Sequence, residues 1–139
     1  MPRLFLPCLL GILLCTATLS AGEKANTVLI HPGEVIYARF TQSGIKLKLV
    51  KASKEKDEQA QMILTLDAKD PDKTKNPMIN LKVENNFDKD LIYKAQARSL
   101  TLNLHTMATV YPVVAGKMAL VPLPPKVEEV AVFAFELEK

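Results

Sequence analysis

Past residue 34 the chain repeats one pattern, in which apolar and polar side chains trade places at every step, and that period suits strands half buried on one face. Ile45, Leu47 and Leu49 alternate with Lys46, Lys48 and Val50. Met62, Leu64 and Leu66 alternate with Ile63 and Thr65, and Ile79, Leu81 and Val83 alternate with Asn80, Lys82 and Glu84. Leu91, Tyr93, Ala95 and Ala97 continue the pattern, followed by Leu100, Leu102 and Leu104 set between Thr101, Asn103 and His105. Val35–Phe40 is a further β-rich run and Met118–Val121 a short one. Val130–Leu137 is apolar almost throughout, as a central strand would be. No segment of comparable length carries a 3.6-residue stripe.

The segments between these runs read as turns. Pro32-Gly33 and Ser43-Gly44 are tight-turn pairs, residues 68–77 are polar with Pro71 and Pro77, and Val114–Lys117 surrounds Gly116. Residues 51–61, dense in Lys, Glu and Gln, are expected to form a solvated loop with a helical turn. Pro122, Pro124 and Pro125 cannot donate to a ladder, so Val121–Lys126 is expected as an extended edge or linker before the last strand. Seven to nine short strands without intervening helices predict an all-β, antiparallel sandwich. A small closed barrel would need repeated glycine kinks, and the chain has five glycines in all.

Val83-Glu84-Asn85-Asn86-Phe87-Asp88-Lys89-Asp90-Leu91-Ile92-Tyr93 resembles a phrase of exported bacterial immunoglobulin-like sandwich domains. There a strand closes on Val-x-Asn, a polar turn follows, and the next strand opens with an apolar residue and an aromatic. The resemblance implies an immunoglobulin-like sandwich in a periplasmic or secreted setting and carries no catalytic residue. The disulfide and buried tryptophan of antibody domains have no counterpart here.

At the amino end, Met1-Pro2-Arg3 precedes an apolar run, Leu4–Leu14, and then small residues up to Gly22. The run is well short of the roughly 20 residues that span a bilayer, and together these features predict a cleaved signal peptide over 1–21. One domain over 22–139 follows. A lipobox centred on Cys15 is the competing reading, although Leu14 is bulkier than the small residue that normally precedes a lipidated cysteine. Both cysteines, Cys8 and Cys15, lie in this leader. The exported chain is therefore expected to lack disulfides, thiol nucleophiles and cysteine metal sites.

Only Arg3 carries charge before residue 22, leaving 17 basic and 15 acidic side chains beyond it, close to neutrality. The basic residues are nearly all lysine, with no interleaved aromatics to stack bases, so nucleic-acid binding is not expected. Acyl transfer requires a base next to a hydroxyl, and only His31, His105, Ser43, Ser53 and Ser99 offer the parts. The acids sit in lysine-rich loops (Asp67, Asp70, Asp72) or near the end (Glu128, Glu129, Glu136, Glu138), where solvated surface explains them. No glycine-rich phosphate cradle is present, so no cofactor is expected.

Two features remain as candidate sites. Lys46, Lys48, Lys51, Lys54 and Lys56 concentrate positive charge that could meet an acidic partner or an anionic envelope surface, or could guard a strand edge against aggregation. His105 and Met107, two apart on a strand, share one face and with Met62, Met78 or Met118 could hold a soft metal such as copper. The overall expectation is a non-enzymatic accessory protein of the envelope, of inhibitor, immunity or chaperone-like type, that binds another protein. A copper-binding protein is the alternative.

Overall fold

The computed structural model of the chain describes residues 26–68, 79–124 and 126–139. The expected signal peptide with Cys8 and Cys15, the loop acids Asp70 and Asp72, and Met78 lie outside the described residues. The described residues form nine strands: β1 (Val28–Ile30), β2 (Val35–Ser43), β3 (Lys46–Ser53), β4 (Met62–Leu66), β5 (Ile79–Asn85), β6 (Leu91–Ser99), β7 (Leu104–Met107), β8 (Met118–Leu123) and β9 (Glu129–Leu137). Among the described residues there is no helix, and none therefore long and apolar enough to cross a membrane.

All pairings are antiparallel and follow one path, β7-β6-β9-β3-β2-β4-β5-β8, with β1 added to β9. The alternation in the sequence becomes the inner face. Met62, Leu64 and Leu66 of β4, Leu81 and Val83 of β5, and Leu91, Ala95 and Ala97 of β6 are all buried. Phe40 anchors the core with its ring 4.9 Å from Phe135, edge-on, and 6.0 Å from Phe87. Such aromatic contacts add to the hydrophobic gain of burial.

The expected all-β antiparallel fold takes the form of one curled sheet, whose two halves join where β3 and β9 meet at a single register pair, Lys46 with Glu136, supported by the Leu137 N–H donating to the Ile45 carbonyl at 2.7 Å. Beyond that pair the two strands diverge, and Asn26 bridges the gap. Its amide donates to the Leu47 carbonyl at 3.2 Å and its carbonyl accepts from the Leu49 N–H at 2.6 Å. The bending that glycine kinks would provide is carried by bulges without glycine. In β9 the register shifts opposite Ile92 and Lys94, where Ala134 takes φ 59°. In β3 it shifts between the partners of Arg39 and Phe40, leaving Val50 as the extra residue.

One strand begins later than the leucine alternation implies, and another carries no alternation of its own. The alternating leucines past Ala97 do not extend a strand: residues 100–103 form a turn, closed by the Asn103 N–H on the Leu100 carbonyl, with Asn103 at φ 55°. The strand resumes at Leu104. Residues 54–61 contain turns but no helical segment. Strand β1, three residues long, is too short to show a period. Pro122 does lie in an edge strand, as expected.

Asn85 gives the Val-x-Asn phrase a mechanical meaning. It is fully buried, its amide donates to the carbonyls of Lys89 and Val113 at 2.8 and 2.9 Å, and its side-chain oxygen accepts from the Phe87 N–H. One side chain thus hydrogen-bonds three backbone groups where β5 turns toward β6, and its bonds to Val113 and Phe87 are buried.

Two substitutions test the packing. Ala134 is exposed and left-handed, a conformation that costs a non-glycine residue about 1 kcal/mol, so Ala134→Gly should raise urea-unfolding stability by about 0.5–1 kcal/mol and Ala134→Val should lower it. The Tyr93 hydroxyl is buried with no hydrogen-bond partner among the described residues, and burial pushes its pKa up to about 12. Tyr93→Phe removes that orphaned group and should stabilise the fold by about 1 kcal/mol in the same measurement.

Candidate functional site

A sheet that does not close leaves edges, and an unpaired backbone edge is a ready template for another strand. Each edge here is treated differently. Strand β1 is only three residues long, and Asn26 occupies the exposed groups of β3. Strand β8 pairs with β5 alone. The Asn85 N–H donates to the Lys117 carbonyl, and by antiparallel alternation residues 119, 121 and 123 turn their backbone toward β5 while Met118, Leu120 and Pro122 turn theirs outward. Pro122 has no N–H to offer there, so this edge is blunted.

Among the described residues strand β7 has no such device. The Ala108 N–H donates to the Ala95 carbonyl at 2.9 Å, so Thr106 and Leu104 face their backbone to β6. His105 and Met107 point their N–H and C=O groups away from β6, toward no described strand. All four residues of β7 are exposed. The inward side chains, Leu104 and Thr106, line a cleft of about 190 Å³ whose other lining residues include Ala97, Arg98, Leu102, Pro124, Lys126 and Val127. Leu100, Leu102 and Leu104 are 60%, 49% and 55% exposed, so the apolar alternation that the sequence reading assigned to a core is presented to solvent.

The charges around this edge are mostly paired. A chain of contacts runs from Lys54 to Glu34 (2.8 Å), Glu34 to His31 (3.3 Å), His31 to Glu129 (3.1 Å), Glu129 to Arg98 (3.2 Å) and Arg98 to Gln96 (2.8 Å). It ties the ends of β3, β2, β1, β9 and β6 together. Both oxygens of Glu128 are engaged by Thr101, its N–H at 2.7 Å and its hydroxyl at 2.6 Å. Lys126 has no ion pair among the described residues.

The residues singled out from sequence fall in three places. Lys46, Lys48 and Lys51 share the outer face of β3 opposite Ser43, Thr41 and Arg39, because the extra Val50 shifts the alternation by one. Lys46 meets Glu136 at 3.7 Å and Lys54 meets Glu34, while Arg39 forms a two-pronged pair with Asp57 at 2.5 and 2.9 Å. Acids therefore pair with two of the five lysines, and Lys48, Lys51 and Lys56 have no ion pair among the described residues.

His105 and Met107 do share the outer face of β7, beside Arg98 and Gln96. Met62 is buried in the core opposite Ala38 and Asn85, and Met118 faces outward on β8, so Met62 is not brought to the pair. Among the described residues no three His, Cys, Asp or Glu side chains converge as metal ligands. His31 has a carboxylate on each ring nitrogen, Glu34 on Nδ1 and Glu129 on Nε2, which leaves neither nitrogen facing a hydroxyl. Ser99 is buried, and the Ser53 hydroxyl accepts from the Glu55 N–H. No family model, curated protein or solved structure matches the chain.

Two carboxylates set the acid limit of the scaffold. The Lys54 ammonium, followed by the His31 N–H, holds Glu34 down to about 2, and the Arg39 guanidinium, followed by the Gln59 N–H, holds Asp57 at about 2. In an unfolded chain such groups take up protons near pH 4. Their contribution is complete above that value and is lost as pH falls from about 4.5 toward 2. The thermal midpoint should therefore drop across this window. A Glu34→Gln/Asp57→Asn variant, less stable at neutral pH, should show a shallower drop.

Proposed function

We propose that this chain is an exported, non-enzymatic binding protein that acts at the envelope or outside the cell by pairing its β7 edge with a strand of another protein. The accessory, inhibitor, immunity and chaperone-like roles all work through such contacts. The observation that carries the reading is the coincidence of an unguarded strand edge with an apolar cleft directly beneath it. Main-chain hydrogen bonds along an edge supply affinity, and alternate side chains entering a cleft supply specificity.

Other surfaces support binding less well. The lysine strip on β3 is interleaved with Glu34, Asp57 and Glu136, which weakens its field. The His31 imidazole lies between two carboxylates, an arrangement that ties elements together without assembling a nucleophile. The leader-like amino end supports export, and the near-neutral charge favours a protein partner over a polyanion.

Photo-crosslinking in the native host tests the reading. With benzoylphenylalanine at position 107, at the β7 edge, a protein adduct of one size is expected. At position 94, exposed on β6 between two paired neighbours, none is expected. Equal adducts at both positions, or none at 107, would overturn edge binding.

A further inference from the structure

Lys126, which lines the cleft and has no ion pair among the described residues, bears on which end of a guest strand fits there. Residues 126–128 run along the end of β6: the Glu128 N–H donates to the Arg98 carbonyl at 2.8 Å, and Arg98 and Ser99 are the register partners of His105 and Leu104. Lys126 therefore stands at the amino end of β7. A guest laid antiparallel on β7 brings its carboxyl end to Leu104 and Lys126, whereas a parallel guest would bring its amino end and set like charge against like.

Among the described residues no carboxylate forms an ion pair with Lys126. Glu129 is held by His31 and Arg98, and Glu128 accepts two hydrogen bonds from Thr101. We infer that the β7 edge receives the carboxyl-terminal extended segment of a partner protein, antiparallel, with its terminal carboxylate on Lys126 and its inward apolar side chains in the cleft.

This deepens the strand-pairing reading and rests on it. A hydrocarbon tail with an anionic head would also suit the apolar lining and the lysine, but it would leave the N–H and C=O groups of His105 and Met107 unpaired. The cleft, at about 190 Å³, also falls below the roughly 300 Å³ at which small-molecule pockets begin. It has room for side chains, and the backbone groups for the strand that bears them lie along its rim.

The test uses the protein purified after export and a fluorescein-labelled Thr-Val-Thr-Val-Thr-Leu peptide, as free acid and as carboxyl-terminal amide, followed by fluorescence anisotropy at low salt. The acid should bind about five- to tenfold more tightly than the amide, the range between an exposed and a partly shielded charged hydrogen bond. Lys126→Gln should reduce the acid to the affinity of the amide. His105→Pro and Met107→Pro should each abolish binding of both forms. Each proline enters a position whose N–H already points away from β6, as Pro122 does on β8, and circular dichroism verifies that the sheet persists. Equal affinities for acid and amide, or a preference unchanged in Lys126→Gln, would overturn capture of the carboxylate while leaving strand pairing intact. Failure of both peptides to bind at millimolar concentration, or binding indifferent to both prolines, would overturn strand pairing as well.

Discussion

Strand β9 belongs to both halves of the curled sheet, and a single extra residue lets it do so. Val130 and Val132 face the core from even positions, Phe135 and Leu137 from odd ones. In a regular strand those two sets would lie on opposite faces. The bulge at Ala134 reverses the alternation, so Phe135 reaches Phe40 across the interior and Leu137 lies opposite Leu91 on β6. The left-handed alanine is the local cost of that switch. Without it, the carboxyl half of β9 would turn its large side chains to solvent, and the one register pair that joins β9 to β3 would lose the core behind it.

A sheet joined so narrowly cannot become a closed barrel, and the consequences appear at its edges. Where the strands diverge, Asn26 supplies hydrogen bonds in place of a neighbour. At the far end Pro122 removes a donor, and at β1 brevity limits what could pair. Among the described strands, only β7 combines outward N–H and C=O groups with apolar side chains on its inner face and a cleft to receive more. The same turn at Asn103 that ends β6 places Leu100, Leu102 and Leu104 at this edge instead of in the core.

The ionic chain from Lys54 to Arg98 sits outside the apolar interior and staples strand ends that are distant in sequence, with His31 and Glu129 separated by 98 residues. It also shapes the binding edge indirectly. By neutralising Arg98 it leaves Lys126 as the cation at the cleft with no ion pair among the described residues, and so gives the edge a direction.

Strand content, antiparallel pairing, the buried alternate positions of β4, β5 and β6, and the edge placement of Pro122 follow from local chemistry, because a period of two and the missing proline N–H act within a few residues. His105 and Met107 were legible as neighbours on one face for the same reason. The parity shifts at Val50 and Ala134, the exposure of the leucines around Asn103, the meeting of His31 with Glu129, and the place of Lys126 in the lining of the cleft were decided by tertiary structure alone. Each depends on which strand lies alongside, and that choice is made by burying the largest apolar faces together across long stretches of chain, a balance that no local run of residues encodes.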